Sequence, residues 1–351
     1  MPQARPRTGV LLIQLGTPKA PTVPAVRRFL REFLVDPRVI DIPAVFRFLL
    51  VHLIIAPFRA YSSTKIYKAL WYVGEGDSPI RTHTVRLTEL LNEQLSGEGI
   101  TVHMAMRYQG PAIEDVLETM RHERYDKILI LPLFPHYASS SSGTALQKAM
   151  EVISRWWVIP DVECVSQYYR EPFYIDTVVE QTLKHDLGSF DHILMSYHGL
   201  PVRHMDKVYP KAGDLCADHG CEDAVDVENA HCYKATVYET SRLVAAKLGL
   251  DEDAYTVTFQ SRLNDRWLRP FSDKVIVECA EKGMKRLLVL SPAFVADCLE
   301  TLIEVGSEYH VLFTEHGGEV VQLVDSCNTE ATWVDGLAGF LRERAARLPS
   351  R

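Results

Sequence analysis

The chain of 351 residues has no surplus of positive charge: 38 Lys and Arg stand against 46 Asp and Glu, a net charge of −8. Without that surplus a broad phosphate-binding surface is excluded, and general nucleic-acid binding with it. No G-x-G-x-x-G follows a strand pattern and no G-x-x-x-x-G-K-[ST] occurs, which removes the ordinary dinucleotide and ATP cradles. The opening segment Met1–Gly9 contains Pro and Arg but no apolar h-region, so no secretory signal is read there. Low-complexity tracts are missing as well, Ser139–Ser142 being too short to count. The longest apolar run, Val45–Phe58, has 14 residues and carries Arg47 and His52, short of the roughly 20 needed to span a bilayer. It reads first as a buried helix, with a pocket lining or a membrane-surface segment as alternatives. Seven cysteines at irregular spacing do not make a disulfide framework in a chain this long. A soluble, cytoplasmic protein is expected.

What is present is an ordinary globular composition, 47% apolar and 24% charged, long enough for one large or two medium domains. Short Val/Ile/Leu runs alternate with amphipathic stretches, the pattern of βαβ units and parallel sheets. Strands are predicted at Gly9–Leu15, Val102–Arg107, Lys127–Leu133, His192–Tyr197, Tyr255–Gln260 and Arg286–Leu290. Helices are predicted at Val23–Val35, Val85–Leu95, Ile113–His122, Ala145–Arg155, Ile175–Leu187, Ala235–Leu248 and Thr329–Arg347. A faint repeat pairs GVLLIQLGTP with DHILMSYHGLP, and YDKILILPLFPHYASSSSG with MKRLLVLSPAFVADCLE. Repeats of this length mean duplicated domains, not solenoids. The expected fold is therefore α/β, two similar Rossmann-like lobes with parallel sheets and a ligand cleft between them. Residues 1–170 form the N-terminal lobe, 171–328 the C-terminal lobe with a cysteine-rich insert at 212–233, and 329–351 a helix returning to the N-terminal lobe.

Ligands of open parallel sheets bind outside the carboxyl ends of the strands. The residues there are Gln14-Leu15-Gly16, Arg107-Tyr108, His136-Tyr137, Tyr197-His198, Gln260-Ser261-Arg262 and Phe294. His198 ends an apolar strand and precedes Gly199-Leu200-Pro201, a position equally suited to a metal ligand, a proton acceptor or a hydrogen-bonded strand-end histidine. Asp297, Glu300 and Glu304 stand at i, i+3 and i+7, on one face of a helix if its pitch is ordinary. An acidic face is usually only solvated, but opposite a strand-end histidine it suits a hard divalent cation and proton transfer. Leu15, Tyr108, Tyr209, Trp267 and Phe294 offer walls for a large planar ligand, as core aromatics also would. Arg59, Lys65, Arg81 and Arg107 could meet carboxylates on such a ligand, and Ser78 adds a loop hydroxyl.

These segments carry a family resemblance. QLGTP (Gln14–Pro18), GDSPI (Gly76–Ile80), MRYQGP (Met106–Pro111) and FPHYASSSSG (Phe134–Gly143) are similar to ferrochelatase motifs. So are SYHGLP (Ser196–Pro201), TFQSRLNDRWLRP (Thr258–Pro270) and FVADCLETL (Phe294–Leu302). The resemblance covers about 300 residues in order and implies the type II chelatase architecture, a porphyrin cleft, and a lyase that inserts Fe²⁺ into a porphyrin. Carried over, His198 is the metal-binding and proton-accepting histidine and Glu300 its carboxylate partner. Asp297 and Glu304 are the acidic relay, and Leu15, Ser78, Arg107, Tyr108, Tyr209, Trp267 and Phe294 are porphyrin positions. Cys298 departs from the pattern, standing where animal-type members have His. Protoporphyrin IX is the expected acceptor, since the apolar run Val45–Phe58 suits a hydrophobic substrate and transient membrane contact. Coproporphyrin III, cobalt insertion into a reduced tetrapyrrole, or non-catalytic tetrapyrrole binding are the alternatives.

Cys216, Cys221 and Cys232 crowd into an acidic stretch, CADHGCEDAVDVENAHC. Three thiols so close suggest a metal or iron–sulfur ligand set. Some relatives carry a [2Fe–2S] cluster, some bacterial ones on closely spaced internal cysteines. A fourth ligand would be His219, His231 or Cys164; zinc and free thiols remain open. The animal-type ligand arrangement is excluded, because Ser139 occupies its internal position and the tail has no cysteine.

Overall fold

A computed structural model describes residues 6–211 and 213–347. The start of Met1–Gly9, residue 212 of the insert and the end of the C-terminal segment lie outside the described residues. By contact density the chain forms two units. The first runs to Phe134, takes in Ser139–Gln167 and resumes at Thr329; the second comprises Pro135–Ala138 and Tyr168–Asn328.

The first unit holds a parallel sheet ordered β2-β1-β3-β4, from β1 (Thr8–Gly16), β2 (Ile100–Tyr108), β3 (Lys127–Pro132) and β4 (Asp161–Cys164). Its helices are α1 (Val23–Val35), α2 (Ala44–Val73), α3 (Pro79–Gln94), α4 (Ile113–Glu123) and α5 (Thr144–Ile153). β1 and β3 are apolar almost without interruption and buried along their length, as strands with helices on both faces must be. Leu11, Ile13, Ile128 and Ile130 pack against Leu117 and Met120 of α4 and Ala145, Ala149 and Ile153 of α5.

The second unit repeats the plan. β5 (His192–His198), β6 (Tyr255–Gln260), β7 (Arg286–Leu290) and β8 (Val320–Leu323) pair in parallel in the order β6-β5-β7-β8. They are joined by α6 (Pro172–Leu183), α7 (Val202–Asp206), α8 (Tyr233–Leu248), α9 (Ser272–Glu281), a π-helix at Leu299–Tyr309 and α10 (His310–Glu315). Leu194, Leu287 and Val289 meet Ile276, Val305 and Phe313 in its core. The terminal helix α11 (Ala331–Ala346) belongs to the first unit, where Arg342 pairs with Glu98 at 2.9 Å and Lys127 donates to the Arg344 carbonyl at 2.8 Å.

Two expectations change here. The edge strands β4 and β8 have four residues each and only one buried position between them; such short, polar segments carry too little apolar periodicity to be predicted. Val45–Phe58 is not a buried helix. It opens the 30-residue α2, whose most apolar window is only 17% buried. The side facing the unit is built from Val51, Ala56, Ala60 and Thr64, whereas Phe46, Phe48, Leu49, Leu53, Ile54 and Phe58 are exposed. A packing stripe of mostly small residues leaves the large ones outside. At about 45 Å, α2 is long and apolar enough to cross a membrane by length and composition.

Candidate functional site

In the second unit, β5 delivers His198 to its carboxyl end, in register with Gln260 at the end of β6. The following residue must be Gly: a Cβ on Gly199 would come within 2.8 Å of the Gln260 carbonyl. Half-buried His198 has Nδ1 2.6 Å from the Gly199 carbonyl. A carbonyl only accepts, so in the neutral ring Nδ1 carries the proton and Nε2 keeps its lone pair. Trp267 and Phe294 flank the imidazole, with ring centroids at 6.4 and 6.3 Å.

Gln260 connects this strand end to the π-helix. Its buried side chain accepts from Ser196 Oγ at 2.8 Å. It donates to the Glu300 carbonyl at 2.9 Å and to Glu304 Oε2 at 3.3 Å. Glu304 also accepts from the Ser261 amide at 2.8 Å, from the Ser261 hydroxyl, and from the Tyr309 hydroxyl at 3.0 Å. Burial and the Glu304 charge push the Tyr309 phenol up, so it stays a donor. Burial, then the charge of Glu304, also raises the pKa of Glu308.

The carboxylate row is therefore different from the one read at i, i+3 and i+7. A π-helix closes its hydrogen bonds at i+5 and takes more than the roughly 3.6 residues per turn of an α-helix, so residues four apart align: Glu300, Glu304 and Glu308. Asp297 lies before the helix, buried, and accepts from Thr301 Oγ1 (3.0 Å), the Ser326 amide (3.3 Å) and Asn328 Nδ2 (2.6 Å). Its oxygens fix a turn. Cys298 is buried, and burial together with Glu300 holds its thiol well above the usual range. Gln260, Ser261, Tyr309 and Glu308 were not singled out as site residues from sequence. Gln260 and Ser261 stood at a flagged strand end, but only the π pitch brings in the other two.

In the first unit Leu15, Arg107 and Tyr108 occupy the corresponding strand ends, and Ser78 directly precedes α3. Leu15 is partly exposed at the end of β1, and Ser78 is fully buried, accepting from Thr17 at 2.9 Å. Arg107 and Tyr108 are turned inward. Arg107 pairs with buried Asp36 at 2.6 Å and donates to Thr144 at 2.7 Å, and the Tyr108 hydroxyl donates to the same Asp36 at 3.0 Å. Tyr108 is fully buried and its phenol pushed up, chiefly by burial. The expectation that Tyr108 forms an open porphyrin wall is thus corrected: it anchors the loop carrying Asp36. Arg81 pairs with Asp77, while Arg59 and Lys65 are exposed on α2.

The sequence profile described as Ferrochelatase matches residues 7–345. The chain is 40% identical over 341 residues to the ferrochelatase of Coxiella burnetii (strain Dugway 5J108-111), covering 96% of this chain and 94% of that one. It is 36% identical over 339 residues to the ferrochelatase of Legionella pneumophila (strain Lens), covering 96% and 99%. The chain belongs to the ferrochelatase family. Its chemistry is thus insertion of iron into a porphyrin. Among solved structures, SirB from Bacillus subtilis with Fe³⁺ superposes with a TM-score of 0.56 at 11% identity, covering 97% of this chain and 96% of SirB. SirB from Bacillus subtilis subspecies spizizenii in complex with cobalt gives 0.54 at 10% identity, with the same coverage. At these identities the likeness shows the type II chelatase fold alone.

In this ferrochelatase-family chain the cysteine-rich insert folds on itself. Cys216, Cys221 and Cys232 are buried, with Sγ separations of 3.6, 3.5 and 3.6 Å. Donation from Cys216 and Cys221 pulls the Cys232 thiol below its usual range, while Cys216 is pushed up. Tyr209, expected on the porphyrin wall, instead lies here. Its hydroxyl is 3.1 Å from Cys221 Sγ and its ring stacks on His219 at 3.8 Å. His231 is exposed and meets Tyr137 edge-on. Cys164 lies in the first unit, 4.0 Å from the Met150 sulfur. No further Cys, His, Asp or Glu among the described residues joins the trio.

A [2Fe–2S] cluster does not fit this set. It takes two ligands on each iron, so three cysteines must divide two and one. Two of the three S···S separations would then span the whole Fe₂S₂ rhomb. Here all three are van der Waals contacts.

Proposed function

We propose that the chain inserts Fe²⁺ into protoporphyrin IX, making haem b with release of two protons. The observation that carries this reading is the strand-end histidine in register with Gln260, whose side chain reaches the Glu300 carbonyl and the Glu304 carboxylate of the π-helix. Metalation must remove two pyrrole N–H protons and replace water on the metal. His198 Nε2, left with its lone pair by the Gly199 contact, takes a pyrrole proton. Glu300, at the start of the π-helix, partners the histidine for metal and proton. Glu304 is held by four donor groups from Gln260, Ser261 and Tyr309, and Glu308 at the exposed end passes charge to solvent. Trp267 and Phe294 supply flat apolar surface against the ring.

Protoporphyrin partitions into lipid, and the exposed apolar side of α2 supports a peripheral seat on the cytoplasmic face of a membrane. A second reading has its own support. An open depression of about 730 Å³ in the first unit is lined by Lys19, Arg28 and Arg81, cations that would suit the extra carboxylates of coproporphyrin III.

An anaerobic assay with Fe²⁺ and each porphyrin, followed by absorbance, tests both readings. Turnover is expected to prefer protoporphyrin, and to fall by at least a hundredfold in His198→Ala and Glu300→Gln while porphyrin binding persists. A preference for coproporphyrin would select the second reading. Tight binding without turnover of either would make the chain a carrier.

A further inference from the structure

We propose that Cys216, Cys221 and Cys232 form a resident site for a single thiophilic divalent ion of the Zn²⁺ class, separate from the strand-end chemistry of His198. The three sulfurs make a nearly equilateral triangle with sides of 3.5–3.6 Å. An ion about 2.3 Å from each, the usual Zn–S distance, subtends S–M–S angles of about 100°. That is close to three corners of a tetrahedron. No other Cys, His or carboxylate among the described residues reaches the fourth corner, which water or another small donor would fill. The Tyr209 hydroxyl, 3.1 Å from Cys221 Sγ, is placed to donate to a bound thiolate and fix its orientation, as partners around metal ligands do.

The surroundings need such an ion. Residues 213–232 contain no helix longer than the four-residue turn Cys216–His219. Their polar frame comes from buried Asn229, which donates to the Ala224 carbonyl at 2.9 Å and accepts from the Asp226 amide at 2.8 Å. A polar loop of this length cannot bury enough apolar surface to order itself, and a structural metal supplies folding free energy outright. The insert that carries the trio is acid-rich, with Asp214, Asp218, Glu222, Asp223, Asp226 and Glu228. Buried thiolates are costly alone and favourable around a dication. Pairing two of the thiols as a disulfide would strand the third.

The test is metal and acid-labile sulfide analysis of the full chain, purified anaerobically, with X-ray absorption at the metal edge. One zinc per chain is expected, with three sulfur neighbours at about 2.3 Å, one lighter neighbour and no labile sulfide. Cobalt exchange should give the intense visible bands of a four-coordinate cobalt thiolate. Zinc in a strand-end His/carboxylate site would lack the sulfur shell, so the two locations are distinguishable. Cys221→Ser should lose the ion, whereas Cys164→Ser should keep it. Should the buried substitution disturb folding, the wild-type chain still decides. Removing the ion with a chelator should raise hydrogen exchange and proteolysis within residues 213–232 at least tenfold, leave β5–β8 protected, and reverse on adding Zn²⁺. Two irons and two labile sulfides per chain, a metal without sulfur neighbours, no metal at all, or a segment indifferent to the chelator would each overturn the proposal.

Discussion

His136 shows how much a single buried group can set the acid limit of the protein. Its ring lies among Tyr169, Tyr174, Tyr197 and Tyr233, with Nε2 2.9 Å from the Thr240 hydroxyl, and burial pushes its pKa down to about 3. The unfolded chain protonates this histidine near pH 6.5, whereas the folded chain does not until far lower. Its contribution to stability is therefore complete above about pH 6.5. Below that it falls by roughly 1.4 kcal/mol per pH unit, levelling off near pH 3. Denaturant unfolding of wild type and His136→Gln across this range should show the slope shrinking in the variant, and identical profiles would refute the assignment. From sequence His136 was one more strand-end residue. What separates it from His198 is the number of aromatic rings around it, a tertiary fact that no local pattern encodes. His198 itself was legible because a strand, a histidine and an obligatory Gly199 are consecutive. Tyr108 and Tyr209 were misplaced because an aromatic beside a strand end reads the same whether it faces a ligand or a neighbouring loop.

At the scale of an element, the π-helix and α2 are where sequence reading falls short, for the same reason. Both depart from the pitch that periodicity arguments assume. Within Leu299–Tyr309 the wider turn removes Asp297 from the acidic row and brings in Glu308. The two residues should then fail differently when changed. Asp297→Ala leaves the Thr301, Ser326 and Asn328 donors unsatisfied in a buried place, and should cost about 2–4 kcal/mol of stability with little change in the porphyrin KM. Glu308→Gln should leave the melting temperature near wild type and slow insertion several-fold. The same effect from both variants would return Asp297 to the row. In α2 a short π stretch at Leu50–Ile55 interrupts the α pitch, and the packing stripe stays on Val51, Ala56, Ala60 and Thr64. The apolar total of this segment was plain in the sequence; which face it would show was not. If that exposed face rests on lipid, Phe46→Glu with Phe58→Glu should weaken binding to lipid vesicles at least tenfold while leaving turnover of detergent-solubilised porphyrin intact. Undiminished vesicle binding would remove α2 from the membrane contact.

Across the whole molecule, the two units share a strand order and a local device at the same place. Gly16 closes β1 where a Cβ would strike the Tyr108 carbonyl, and Gly199 follows β5 where one would strike that of Gln260. Gln109 and Ser261, the residues after β2 and β6, both take a positive φ, 68° and 60°. By this correspondence Leu15 in the first unit stands where His198 stands in the second. One copy keeps an apolar strand end and the other carries the titratable groups, so a duplicated scaffold has been divided by function. The units differ also in what completes them. The first depends on α11, which buries Trp333, Val334, Leu337 and Leu341 and shields Lys127, whose ammonium is 2.7 Å from Glu163. Burial of four such side chains is worth roughly 1.5–3 kcal/mol each, together comparable with the net stability of about 5–15 kcal/mol of a typical protein. Removing α11 also strips the Arg344 carbonyl and guanidinium from the Lys127–Glu163 pair, leaving a buried ion pair partly uncompensated. Ending the chain at Asn328 should therefore abolish hydrogen-exchange protection in β1–β4. Protection retained in those strands would mean that the first unit is stable without its last helix.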